Sequence, residues 1–248
     1  MRKCLPSSMK KSWNGNTNTP LIKQSSSKES YKAFIHSCVN LFEKENYIQV
    51  NGKPAIIVYK PRSVPEPNEV ISYWKKYVKN RIGKEPYVIA SLSVETDYKY
   101  PFVDLGFDAV SEFAPGPQID NMKLINDQKE FVCKEFLGKI YDYKDFVSRK
   151  GYLKNNTAKL FRAACPMWDN TARKKNKGMI LDGANPELFN LWLKDIIVEV
   201  KRKNDVDEKF IFLNAWNEWA EGAYLEPDLK WKYGYLEAIR NAIVETRE

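Results

Sequence analysis

The sequence predicts an α/β fold on a parallel sheet, of the (β/α) TIM-type barrel class. Short, continuously apolar segments alternate along the chain with helical patterns, as strands buried on both faces by crossover helices do. Polar and aromatic residues crowd just behind those segments: Tyr59, Lys60 and Arg62; Glu95; Glu112; Trp168, Asp169 and Asn170; Trp216, Asn217 and Glu218. Barrel active sites are built at the C-terminal ends of the strands, so this distribution suits the class. No strand is followed by a glycine-rich phosphate loop, which takes most of the weight from nucleotide-binding doubly wound folds.

The elements follow in order. The first thirty residues lack apolar periodicity, and Asn14, Gly15, Asn16, Asn18, Pro20 and the serines at 25–27 mark loop. From 31 to about 46 the pattern is helical. Residues 54–60 are a short apolar run bounded by Asn51-Gly52 and Pro61, hence a buried strand. Pro65 and Pro67 lead into a helix over 69–82, followed by a strand at 87–94 and a helical turn at 102–105. A third strand, 107–113, is ended by Pro115-Gly116-Pro117. The irregular stretch behind it holds one short helical candidate, 128–137. A fourth strand spans 160–165. A long helix spans 186–203, with Asn185 as N-cap and Pro186 at the first helical position. A fifth strand at 210–215 and a helix at 233–245 close the series. Trp74, Trp192 and Trp231 fall on helical patterns and are assigned to packing.

Composition narrows the function. With 248 residues, 43% hydrophobic and 13% aromatic, the chain can bury one large core or two small ones, and disorder is excluded as the main state. The apolar runs at 55–59 and 210–213 fall far short of the ~20 residues that cross a bilayer, so no membrane span is predicted. The basic N-terminus has no apolar stretch behind it, so no secretory signal is read. Cys4, Cys38, Cys133 and Cys165 are scattered without a CxxC pair, which predicts reduced thiols and a cytoplasmic location. The one histidine, His36, lies on a helical pattern and is assigned to the surface or to packing, so neither a metal site nor a cofactor is expected. The net charge is +8, but the lysines are spread. The densest clusters, 174–177 and 201–203, read first as solvated faces and second as a preference for acidic partners. No nucleic-acid-binding motif occurs, and nucleic acid is not an expected partner. Chemistry must come from carboxylates, tyrosines and lysines.

The segment 214–228 is the sharpest signal. It begins at the end of a buried strand and places Glu218 and Glu221 three apart among Trp216, Asn217, Trp219, Tyr224, Glu226 and Asp228. Aromatic faces stack on pyranose rings, while carboxylates and amides bond hydroxyls. Glycosyl transfer needs two carboxyl groups, one of them protonated to assist the leaving group. Acids just behind a strand also suit a helix N-terminus, but the density of Trp, Asn and Tyr favours sugar chemistry.

The segment resembles the signature of the WbsX-like proteins, glycosyltransferases of surface-polysaccharide clusters related to glycoside hydrolase family 99. Three further blocks fit that resemblance in the family's order: residues 166–173, which contain Trp168, Asp169, Asn170 and Arg173; Asn51-Gly52-Lys53-Pro54 running into Tyr59-Lys60-Pro61; and 105–109 followed by Glu112-Phe113. They cover most of the chain from about Trp13 onward. The resemblance implies a (β/α)8 barrel and a retaining reaction at an α-mannosidic linkage. It makes Glu218 the residue that deprotonates the sugar's own 2-hydroxyl and Glu221 the general acid/base. The family begins with three further strands that are not found here. The expected organisation is therefore a loop-rich segment 1–30, with residues 10–15 a remnant of a barrel loop, ahead of 31–248 as the C-terminal part of an incomplete barrel. A missing N-terminal barrel segment or a complementing chain would leave open sheet edges until supplied.

The remaining motifs are weaker. Asp205-Val206-Asp207 resembles the DxD of metal-dependent transferases but precedes a strand, on the face opposite the active site. Arg173 can hold an anionic sugar or phosphate, or pair with Asp169. Tyr59 and Glu112, at strand ends, either face the cleft or close the barrel top, and Tyr224, Glu226 and Asp228 are placed on the cleft rim. The expected function is a glycan-active enzyme that cleaves or transfers at a glycosidic bond of a bacterial surface polysaccharide. Its substrate would be an oligosaccharide or polysaccharide. The alternative is a catalytically inactive carbohydrate-binding fragment.

Overall fold

The computed structural model describes residues 25–130, 135–157, 159–203 and 205–247, and the backbone of 3–4, 9–10 and 20–22. The chain divides into two compact units. One comprises Met1–Ser93, Lys99–Ser111 and Thr157–Phe161, and the other Val94–Tyr98, Glu112–Asn156 and Arg162–Glu248.

The strands in chain order are β1 (Lys3–Cys4), β2 (Met9–Lys10), β3 (Pro20–Ile22), β4 (Gln49–Val50), β5 (Lys53–Val58), β6 (Tyr87–Leu92) and β7 (Ala109–Glu112). They continue with β8 (Lys139–Asp142), β9 (Leu160–Ala164), β10 (Met179–Asp182), β11 (Ile211–Leu213), β12 (Asn217–Glu218) and β13 (Ala223–Tyr224). The helices are α1 (Lys28–Phe42), α2 (Pro67–Ile82), α3 (Tyr143–Ser148), α4 (Thr171–Lys174), α5 (Pro186–Lys203) and α6 (Gly234–Glu245). The main sheet runs β1-β5-β6-β7-β9-β11, with β4 added antiparallel to β5. Pairing is parallel at β1–β5, β5–β6, β7–β9 and β9–β11. This path ends at β1 and β11 without closing, as an incomplete (β/α) TIM-type barrel does.

In the first unit β5 is buried at most of its positions. β6 is buried along its whole length, as its unbroken apolar run requires. Ser27 caps α1 by accepting the Ser30 N–H. α2 starts with Pro67 at its first position and stops at Gly83, whose φ of +74° ends the helix in the left-handed region. Trp74 of α2 is fully buried, and its indole N–H donates to the Tyr31 carbonyl of α1 at 3.0 Å. His36 lies exposed on α1, bonded to the Tyr73 hydroxyl at 2.7 Å and stacked on Tyr77.

In the second unit, Asn185 caps α5 as the sequence predicts, its side chain accepting the Leu188 N–H at 2.9 Å. Trp192 of α5 is fully buried between Tyr143, Phe146 and Tyr152. Asn190 of α5 donates to the Ala238 carbonyl of α6 at 2.8 Å. Trp231, in contrast, precedes α6 in a turn and is only partly buried.

Three sequence expectations change. The helical candidate at 128–137 is not helical at 129–130 or 135–137, and residues 131–134, Cys133 among them, lie outside the described residues. What organises that stretch is a parallel pair, β8 with β10, that short mixed sequences such as Lys-Ile-Tyr-Asp do not announce. A further strand, β1, pairs with β5 from a region whose composition reads as loop. The loop markers Asn14, Gly15, Asn16 and Asn18, and positions 11–15 of the expected remnant, lie outside the described residues. Among the described residues no helix is long and apolar enough to cross a membrane.

Candidate active site

The site lies in the second unit, on the loops that follow β9 and β11. Asn214, one residue past β11, fixes where the second loop starts. Its N–H donates to the Ala164 carbonyl at 3.0 Å, and its buried side-chain amide donates to the Ala114 carbonyl at 2.6 Å. The chain then folds back as a hairpin: β12 pairs antiparallel with β13, Asn217 opposite Tyr224 and Glu218 opposite Ala223, around a tight turn at Trp219–Glu221. The Trp216 carbonyl accepts the N–H groups of Leu225 (2.9 Å) and Glu226 (3.1 Å), which closes the base of the hairpin.

Gly222 seats this hairpin on the loop after β9. Its φ is +56°, and a Cβ there would stand 2.8 Å from both the backbone N and O of Asp169. Only glycine allows that approach. The Asp169 N–H in turn donates to the Glu221 carbonyl at 2.9 Å. The Asp169 carboxylate accepts from the Thr171 N–H (2.9 Å) and hydroxyl (2.6 Å), starting α4. Asn170 exchanges hydrogen bonds with Met179 of β10, and the Trp168 carbonyl accepts from Leu181.

The two motif glutamates have different surroundings. Glu218 is exposed. The Glu221 side chain is 12% exposed, and its Oε1 is ion-paired with Nη2 of Arg173, which comes from α4. Arg173 therefore reaches Glu221, a partner that the sequence reading leaves out. Among the described residues its buried Nε has no hydrogen-bond partner, and neither does the indole N–H of Trp168. Cys165 at the end of β9 is buried. That burial, with the Glu221 carboxylate nearby, pushes its thiol up, so it stays protonated.

The aromatic residues form a shelf. Trp219 stacks on Tyr224 with ring centroids 3.7 Å apart, and its indole N–H donates to Glu226 at 2.6 Å. Trp216 and Trp219 remain 54% and 48% exposed, so apolar ring faces meet solvent. An open trough of about 690 Å³ runs along Trp219, Tyr224, Asp228, Leu229 and Tyr233. The Tyr224 hydroxyl donates to Asp228 at 2.9 Å; burial and that bond push the phenol up to about 12. Burial works to raise the Asp228 carboxyl, but bonds from the Trp231 N–H and the Tyr224 hydroxyl outweigh it and hold the group below its ordinary value. Leu229 and Tyr233 were not singled out in the sequence; the signal was the apolar pair flanking the lysines behind Pro227.

Glu112 and Tyr59 have surroundings of their own. The Glu112 side chain has no exposure; it accepts from the Tyr98 hydroxyl (2.5 Å), Arg162 (2.9 Å) and the Ala163 N–H (2.9 Å). Burial raises its carboxyl, opposed by Arg162, Tyr98 and Ala163. All three donate, so an ionised carboxylate satisfies them, and Glu112 ties β7 to β9. Tyr59 follows β5 in the first unit, partly buried, with the Lys60 ammonium 5.7 Å from its ring. The Asp205-Val206-Asp207 motif enters a turn at Val206–Glu208, ahead of β11 and so at the end of the strand opposite the glutamates.

The fold class is an incomplete (β/α) TIM-type barrel. A protein described as glycoside hydrolase-like superposes with a TM-score of 0.59 at 16% identity, over 95% of this chain and 65% of its own. The GH99 endo-alpha-mannosidase from Bacteroides thetaiotaomicron superposes with a TM-score of 0.55 at 14% identity, over 89% and 63%. At sequence level, the family described as glycosyltransferase WbsX matches residues 7–239, and the chain belongs to that family. The uncharacterized protein WxcX of Xanthomonas campestris pv. campestris (strain B100) is 30% identical over 233 residues, 93% of this chain and 32% of WxcX. A second strain of that pathovar gives the same match. The chain thus spans about a third of the length of the curated relatives it matches.

Proposed function

We propose that this chain is the catalytic segment of a cytoplasmic glycan-active enzyme that cleaves or transfers at a glycosidic bond in bacterial surface polysaccharide, O-antigen or capsule. The observation that carries the reading is the hairpin behind β11. It presents two glutamates and two solvent-facing tryptophans at the C-terminal end of a barrel strand, on a seat that admits only glycine. Trp216, Trp219 and Tyr224 stack on the sugar; Asn217, Glu226, Asp169 and Asn170 read its hydroxyls. Trp168 lends an unclaimed indole N–H from beneath.

In this reading Glu218 takes the proton of the sugar's 2-hydroxyl, whose oxygen attacks the anomeric carbon. The glycosidic bond breaks as Glu221 gives its proton to the leaving oxygen. An incoming water or sugar hydroxyl then opens the anhydro-sugar, losing its proton to Glu221, while Glu218 returns its proton to the 2-oxygen. Two displacements retain the anomeric configuration, and the first demands close positioning of the 2-oxygen. A further barrel segment, from the same polypeptide or a second chain, completes the cleft.

The alternative, a carbohydrate-binding fragment, finds support in the Arg173–Glu221 pair, because a guanidinium in contact favours the ionised carboxylate over the acid that protonates a leaving group. Glu221→Gln separates the two when assayed on a panel of α-mannosides. The enzyme reading expects turnover to fall by about 10²–10⁴ while glycan affinity holds within a few-fold. Unaltered turnover sinks the catalytic role; binding without turnover in the wild type assigns the fragment reading.

A further inference from the structure

The loop that supplies Arg173 carries three more cations. Lys174 closes α4, and Lys175 and Lys177 form the next turn. Lys174, Lys175 and Lys177 are exposed, and none forms an ion pair among the described residues. Backbone geometry fixes the loop. Lys175 holds φ at +53°, a left-handed conformation that a non-glycine residue keeps only where its surroundings impose it. A Cβ on Gly178 would stand 2.6 Å from the Thr171 methyl and 2.9 Å from its Cα, so only glycine lets the turn close on the start of α4. Four cations thereby share one turn, and Arg173, the one that reaches Glu221, keeps a buried Nε–H without a partner among the described residues.

Like charges held this close repel, and an oxyanion relieves that repulsion. Arg173 is the group best suited to take one, because its planar fork matches phosphate or carboxylate in two bonds. We infer that the basic turn at 173–177 is a subsite for an oxyanion carried by the saccharide, and that an anion seated there draws Arg173 off Glu221. The ligand class is a phosphate- or carboxylate-bearing glycan. The consequence is substrate-linked: an anion that takes Arg173 removes the guanidinium from the Glu221 carboxylate. Glu221 is faced by Arg173, Asp169 and Cys165 from the β9 side and shares its hairpin with Glu218. Arg173 is here a positioning residue. The inference rests on the proposed role of Glu221 for its catalytic meaning, but not for the binding itself.

The test is calorimetric titration of the chain with inorganic pyrophosphate and with glucuronate, which separate phosphate from carboxylate. Lys174→Gln/Lys175→Gln/Lys177→Gln and Arg173→Met are each expected to weaken the preferred anion about tenfold or more, and Arg173→Lys to restore part of it. Glu221→Gln is expected to tighten the anion several-fold, because the guanidinium is released; a merely structural pair gives no such gain. The lysines are exposed, so the triple variant keeps its fold even if Arg173→Met does not. Equal affinity in the wild type and the triple variant, or no gain in Glu221→Gln, overturns the inference. Anion binding with no turnover of any glycan overturns the catalytic reading and leaves the subsite. Turnover of neutral glycans without anion binding does the reverse.

Discussion

Among the described residues, two arginines of the second unit are ion-paired with glutamates, and they put the same chemistry in opposite circumstances. Arg162 is 3% exposed and fully engaged: it grips Glu199 with two bonds of 2.8 and 3.0 Å, Glu112 with one of 2.9 Å, and the carbonyls of Tyr152 and Asn155. Arg173 is 35% exposed, bonds Glu221, and leaves a buried N–H unclaimed. The buried triad is complete and has nothing to offer a ligand. The half-exposed pair has spare donors and solvent access. The difference teaches that a charge pair marks a binding site when its hydrogen-bonding capacity is unspent, whatever the residue types.

The comparison breaks most visibly at the arginines. Arg162→Met strands two carboxylates in a buried wall and is expected to cost about 3–5 kcal/mol, or about 10 °C in Tm for a chain of this size. Arg173→Met is expected to cost less, because Arg173 is 35% exposed where Arg162 is 3% and its loss leaves one carboxylate rather than two without it. Thermal unfolding of both variants checks this, and equal losses would erase the distinction between wall and site.

Gly222→Ala sharpens it next. A side chain there meets the Asp169 backbone at 2.8 Å, so about 1–3 kcal/mol is expected together with loss of the hairpin's seat. Gly183→Ala is the control: φ is +77°, but nothing lies within 4 Å, so only the backbone cost of about 1 kcal/mol remains. Denaturant melts that show no difference between them would mean the hairpin does not depend on that contact.

The smallest effect is in acid. Burial works to raise Glu199, but its bonds to Arg162 and Lys203 outweigh this and hold its carboxyl below 4.5. A depressed carboxyl adds stability above its unfolded value and loses it as pH falls through the folded one. Glu199→Gln should therefore be less stable at neutrality yet lose less between about pH 5 and pH 3 than the wild type. Stability curves that run parallel over that range would remove Glu199 from the acid limb.

Much of the fold was legible because the central strands are apolar on both faces. The segments 54–60, 87–94, 107–113, 160–165 and 210–215 all contain strands of the main sheet, trimmed at their ends. The long helices were legible through their caps, Asn185 and Pro186 above all. β8, β10 and α3 were not, since four to six residues give no period to read. At the site, the crowding of Trp, Asn and Glu after β11 was visible, but the neighbours of those residues were not. Arg173 had two candidate partners in the sequence, and Glu221 was neither.

The sequence by itself determined the class of fold, the motif segment that carries the two glutamates and the family, because alternating apolar segments and a dense local motif are encoded within short windows of chain. Only the tertiary structure decided that Glu112 is spent inside the wall while Glu221 is held by Arg173. It also decided that Gly222 has no substitute. Each of these depends on contacts between residues up to fifty positions apart. Burial and hydrogen-bond satisfaction, which separate a structural charge from a functional one, belong to those contacts and not to any residue alone.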